Sequence, residues 1–222
     1  MRMIRLSLAP RLRRLLRDQR GVAFVEFAYA LPVVMLITLA GAEVTGFATT
    51  KMRISQVALH AADNASRMGT GTLFATRQIS EAQILDIFTG ADFQSGGLGL
   101  KKNGFVILSS LEESTTPGKY KIAWQRCYGD KNSYRSTYGT TADKAIAGMG
   151  PAGAQVIAPS GGATIFVEVF YDYTPTVSAK FTPSTKIREI ASMTVRDKRE
   201  LGKIYNGEGV TKASCPWSDQ GY

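Results

Sequence analysis

The sequence predicts an α+β fold in which a long N-terminal helix lies on a C-terminal antiparallel sheet. Three observations predict it. The apolar run 22–42 passes directly into a stretch with helical spacing that ends near residue 68. Segments 119–128, 163–174 and 186–196 alternate with period two. One helix comes first and the strands follow, with short helical pieces between them, so the two element types are segregated along the chain.

Taken in order, the chain opens on charge. Arg2, Arg5, Arg11, Arg13, Arg14, Arg17 and Arg20 all precede Gly21. The run from 22 to 42 is apolar apart from Tyr29, Thr38 and one carboxylate, Glu26. About 20 such residues span a bilayer as a helix. Arginines on one flank mark the cytoplasmic side, which puts the C-terminal part outside. Segment 22–45 is therefore expected to be a transmembrane helix, and 46–222 an exported domain. Pro32 falls inside the helix, where a membrane neighbour can satisfy the carbonyl it frees. Gly41 and Gly46 are small enough for close helix packing. Glu43 is expected at the outer interface, in reach of water.

Glu26 is the costly residue. A carboxylate at the centre of a membrane helix costs about 2.5–3.5 kcal/mol and asks for a partner. Cutting the chain after Gly21 would supply one. Val22 would become residue one and Glu26 residue five, with a new α-amino group one turn away, in the same chain or a neighbour.

The basic leader, Gly21 at the cut and the string Val22-Ala23-Phe24-Val25-Glu26-Phe27-Ala28, running on to Leu31-Pro32, resemble the class III signal of type IV pilins and pseudopilins. Over 17–45 the chain looks most like the TadE/TadF-like minor pilins of tight-adherence pilus systems; beyond 45 the resemblance is architectural. It implies cleavage between Gly21 and Val22 by a prepilin peptidase, with 1–21 as the leader. It implies that Glu26 and Phe27 register the subunit, and that the fold is pilin-like. The implied location is the inner membrane with a periplasmic domain, with passage into an extracellular pilus. The implied partners are the major pilin, other minor pilins and the inner-membrane assembly platform, with the secretion ATPase acting indirectly. No cofactor is implied and no catalysis is needed. Two other readings compete. Ala40-Gly41-Ala42 loosely fits an ordinary secretory cleavage site. An uncut single-span anchor would leave a membrane-tethered periplasmic binding module.

Charge argues against nucleic acid. The formal net charge is +9, but the leader carries seven Arg and one Asp, which leaves +3 for the rest. The basic excess is accounted for by membrane topology and not by a phosphate backbone. Cys127 and Cys215 both fall in the exported part, where an even count favours a disulfide over two buried thiols.

Beyond the anchor, Ile54, Val57, Ala58, Ala61, Ala65 and Met68 recur at three- and four-residue spacing, an amphipathic continuation of the helix. Gly69-Thr70-Gly71 ends it. Residues 80–88 read as a short helix with Ser80 as N-cap and a weak capping box to Gln83, closed by Gly90. Residues 94–104 read as loop. Strands are expected at 105–109 and 119–128, with Tyr120, Ile122, Trp124 and Arg126 on one face. In 163–174, Ile165, Val167, Val169, Tyr171 and Tyr173 oppose Phe166, Glu168, Phe170 and Asp172. The last strand is 186–196. One covered face is expected, with 129–162 mostly irregular apart from a helical turn at 142–149.

Candidate chemistry is sparse. His60 is the single histidine, so neither a two-histidine metal motif nor a triad has support. Gly148-Met149-Gly150-Pro151-Ala152-Gly153 matches the dinucleotide pattern in letters but follows no clear strand and opens no helix. Glu112-Glu113 reads as a solvated turn. Glu168 and Asp172 share a strand face, a thin basis for a calcium or glycosidase site. Tyr120, Trp124, Phe166, Phe170, Tyr171 and Tyr173 read as core. The chain is expected not to be an enzyme.

Overall fold

A computed structural model describes residues 21–71 and 76–217; of the expected leader 1–21, residues 1–20 lie outside the described residues. The first element, α1, is Val22–Arg67, 46 residues with Pro32 inside it, or about 70 Å of helix. It has two unlike halves. Over 22–42 its side chains are exposed, with Ala40 half-buried. From Glu43 onward one face is packed: Ile54, Val57, Ala58, Ala61, Ala62, Ala65 and Ser66 are buried. The alanines let the helix axis approach the sheet closely, and this is the stripe that the spacing predicts. The end of α1 is held from a distance. The Arg199 guanidinium donates from Nη2 to the carbonyls of Ala65, Ser66 and Met68, at 3.1, 3.1 and 2.6 Å, satisfying acceptors that a helix end leaves open.

Helix α2, Glu81–Ser95, is longer than its sequence suggests. Its capping box is complete: Gln83 N donates to Ser80 Oγ and Ser80 N to Gln83 Oε1. Gly90 does not end it. The apolar spacing Ile84, Ile87, Phe88, Ala91 continues across that glycine, and burial of those side chains outweighs the cost of about 1 kcal/mol for glycine within a helix. A 3-10 turn, Gly96–Leu98, and a single helical turn α3, Leu100–Asn103, occupy the segment expected to be loop.

Four strands follow: β1 Gly104–Glu113, β2 Tyr120–Tyr128, β3 Ala163–Asp172 and β4 Lys186–Thr194. They form one sheet in the order β2-β1-β3-β4, antiparallel throughout. α1 packs across β3 and β4, and α2 beside it. The helix-side core contains Val106, Leu108, Trp124, Ile165, Val167, Val169 and Tyr171.

Two expectations about the sheet are corrected. The first concerns β2. The register slips between Ser110 and Leu111, so that Ser110 faces Trp124 while Leu111 faces Ile122. A bulge of this kind puts one extra residue in a strand and shifts its alternation. Trp124 joins the helix-side core, whereas Ile122 and Tyr120 join a cluster on the opposite face. The period-two reading of the sequence places all four residues on one face because the bulge is set by the pairing with β1.

The second is that both faces of the sheet are covered, not one. The far face carries Phe105, Ile107, Cys127 and Phe170 with Tyr134, Trp217 and Cys215 over them, and Leu111, Ile122 and Phe166 with Met149 and Ala158 over them. The cover is irregular chain from 129–161 and the C-terminal segment. Tyr134 stacks on Phe170 at 4.7 Å, and Tyr138 meets Phe166 edge-on at 5.4 Å. No helical turn forms at 142–149; the segment instead bridges Ile146 to Tyr120 and Met149 to Val156. Cys127 and Cys215 are joined in a disulfide across 88 residues of chain, and Cys127 N donates to Ala213 O at 2.8 Å.

Candidate functional site

The part of the molecule that differs from an ordinary folded domain is the first half of α1. Gly21 stands at its N-cap and Val22 is its first helical residue, so the expected cut falls where the helix begins. An 18-residue window of the helix reaches a mean hydropathy of 2.1 with none of it buried. The core helix of a soluble protein would bury such a stretch. Phe24, Phe27, Tyr29 and Ile37 are 80, 62, 78 and 64% exposed. The threonine hydroxyls along this part of the helix are bonded back to its own carbonyls. Thr38 donates to Val34 O and Thr45 to Gly41 O, both at 2.8 Å, the back-bonding that lets threonine sit in an apolar solvent. The helix is long and apolar enough to anchor the chain in a membrane.

Two carboxylates lie on this arm, and they have opposite surroundings. Glu26 is exposed, like Phe27 beside it, with no hydrogen-bond or ion-pair partner among the described residues. Glu43, expected to face water, is instead 1% exposed. Its Oε1 accepts from Tyr173 Oη at 2.8 Å and Thr182 Oγ1 at 3.2 Å, and its Oε2 from the Val177 backbone N–H at 2.6 Å. One carboxylate thus gathers the end of β3 and the loop 174–185 onto the helix. Phe47 closes edge-on against Tyr173 at 5.4 Å. Gly46 serves this junction too: a Cβ there would stand 3.1 Å from Tyr173 Oη, while around Gly41 nothing lies within 4 Å. The sequence carries no pointer to Glu43's partners, because they lie 130 to 139 residues away.

Glu43→Ala is expected to strand three donors and release loop 174–185. Limited proteolysis reads this as faster tryptic cleavage after Lys180, with a lower thermal midpoint. Glu43→Gln keeps an acceptor oxygen and should fall between the two.

The remaining candidates resolve into structural roles. His60 is exposed on α1. The Gly148–Gly153 string makes a tight turn; Gly150 has φ +123°, and a Cβ there would come within 3.0 Å of Ala154 O. Glu112 and Glu113 are not a solvated turn but the end of β1. Glu112 is buried and accepts from Gly202 N at 3.0 Å; Glu113 accepts from Ser160 Oγ and Gly161 N, each at 3.1 Å. Burial pushes the Glu112 carboxyl above the usual carboxylate range. Glu168 and Asp172 do not converge on a common point. Glu168 accepts from Ser136 Oγ and from Thr137 N at 3.0 Å, and burial raises its pKa against those hydrogen bonds. Asp172 takes Tyr134 Oη and Lys131 Nζ. Both carboxylates pin the 129–161 cover to the sheet. Among the described residues no three His, Cys, Asp or Glu side chains are grouped to hold a metal ion. Of the aromatics read as core, Trp124, Phe166, Phe170, Tyr171 and Tyr173 are buried and Tyr120 is half-buried.

Compared with known proteins, the chain matches no protein-family model, no curated protein and no solved structure.

Proposed function

We propose that this chain is a structural pseudopilin of the TadE/TadF-like kind, taking part in the assembly or capping of a tight-adherence pilus. In this reading a prepilin peptidase removes the leader after Gly21, and α1 holds the subunit in the inner membrane with the sheet domain in the periplasm. Assembly extracts the subunit from the membrane and packs the apolar arm among the helices of the major pilin and other minor pilins. No step requires a catalytic group.

One observation carries the reading: the exposed apolar arm and the core helix of the domain are a single continuous helix, with Gly21 at its N-cap. An arm rigidly continuous with its domain suits a subunit that must transmit a fixed orientation to a filament. The two carboxylates add support. Glu43 has its partners within the chain, whereas Glu26 has none among the described residues and stands one turn from the Val22 nitrogen, where residues four apart are about 5–6 Å from each other. Cleavage would place a cation there.

The test is the N-terminus of the membrane-bound protein from cells with and without their prepilin peptidase. The expected chain starts at Val22 only when the enzyme is present. A start at Met1 in both strains sinks the proposal and favours an uncut anchored binding module. A start near Glu43 means ordinary secretion.

A further inference from the structure

We infer that loop 174–185 is a foot by which the domain stands in the anionic headgroup layer of the membrane, a role resting on the reading of α1 as a membrane span. The depth of the loop follows from the helix. Twenty residues from Val22 cover about 30 Å, the thickness of the hydrocarbon core. Glu43 lies two residues further along, within about 3 Å of that boundary by helix rise. The headgroup layer beyond it is about 5–7 Å deep. Glu43 holds Val177 N and Thr182 Oγ1 directly, so the loop cannot stand far from the level of Glu43. Ala40, one turn deeper, is already half-buried, unlike the residues on either side of it.

The composition of the loop suits that layer. Residues 174–185 contain no carboxylate and one lysine, Lys180, which is exposed; Lys186, the first residue of β4, faces Asp172 on β3 and is already matched to that carboxylate. Val177 is 39% exposed and Phe181 half-buried, which puts apolar side chains beside the cation of Lys180. A lysine near an anionic surface gains electrostatic attraction within a Debye length, and Lys180 is placed to do so. The occupant of this surface is therefore a bilayer rich in anionic phospholipid. The consequence is a domain whose tilt and rotation are set by two contacts with the membrane, the span and the foot.

The test uses the full chain in vesicles of phosphatidylcholine, with or without phosphatidylglycerol. Single cysteines replacing Leu36, Val177 and Thr115 are spin-labelled; the native pair is already disulfide-bonded. Collision with oxygen and with a water-soluble nickel chelate gives depth. The expected order is position 36 in hydrocarbon, 177 at headgroup level and 115, exposed in the β1–β2 turn, in water. Phosphatidylglycerol should slow the label at 177, and Lys180→Glu should abolish that response. If 36 is in hydrocarbon but 177 is as accessible as 115, the foot is overturned while the span stands. A headgroup position without any response to phosphatidylglycerol overturns the anionic preference. Position 36 in water overturns the span and the foot together.

Discussion

Glu81→Ala is expected to cost about 3–5 kcal/mol of stability, the usual result of removing one partner from a buried ion pair. Glu81 is the first residue of α2 and 1% exposed; Arg126, on β2, is 8% exposed. The guanidinium donates from Nε to both carboxylate oxygens, at 3.1 and 2.9 Å, and from Nη2 to Oε1, while Nη1 donates to Gln125 O at 2.9 Å. Deleting Glu81 leaves a buried cation whose remaining contact is a single carbonyl. It also removes an anion from a helix N-terminus, where negative charge is favourable. The double variant Glu81→Met/Arg126→Leu should recover most of the loss, because a well-packed apolar pair carries no desolvation penalty. Urea unfolding of the full chain in detergent, followed by near-ultraviolet circular dichroism, gives the two values. A double variant as unstable as Glu81→Ala would mean that the pair contributes geometry that apolar packing does not replace.

Loss of the disulfide is the second large effect. In the chain-entropy model, a bridge closing the 88-residue separation between Cys127 and Cys215 stabilises by about 4–5 kcal/mol. Cys127→Ser/Cys215→Ser should therefore lower the urea midpoint sharply. The damage should begin on the far face. Trp217, whose ring centroid lies 5.9 Å from that of Phe105, is held there by the bridge two residues earlier. Its fluorescence should shift red, toward that of a solvated indole, at lower urea than the helix signal is lost. A Trp217 transition that stays coincident with the helix signal would show that the C-terminal cover holds without its bridge.

How far the fold can be read ahead of the structure depends on the range of the interaction involved. The long helix and its inward stripe follow from side-chain spacing, a local property, and α1 ends at Arg67, one residue from its expected end. The strands at 163–172 and 186–194 are likewise visible as alternation. The end of α2 is not legible in the sequence because Gly90 is a poor helix residue taken alone, and only burial of Ile87, Phe88 and Ala91 overrides it. The split of β2 between two faces is not legible either, because a bulge is settled by the partner strand β1.

The candidate site divides along the same line. The arginine cluster, the length of the apolar run, Gly21, Glu26 and Phe27 are neighbours in the chain, and hydropathy and charge order express them without any folding. Glu43, Arg126 and Arg199 carry no local mark of their roles. Their roles depend on partners from distant segments: Tyr173, Val177 and Thr182 for Glu43, Glu81 for Arg126, and the carbonyls at the end of α1 for the Nη2 of Arg199, whose Nε and Nη1 are buried without a hydrogen-bond partner among the described residues. The long apolar arm is thus determined by chain chemistry alone. How the domain is fastened to that arm is decided by tertiary structure, because a buried charge takes its meaning from whatever satisfies it.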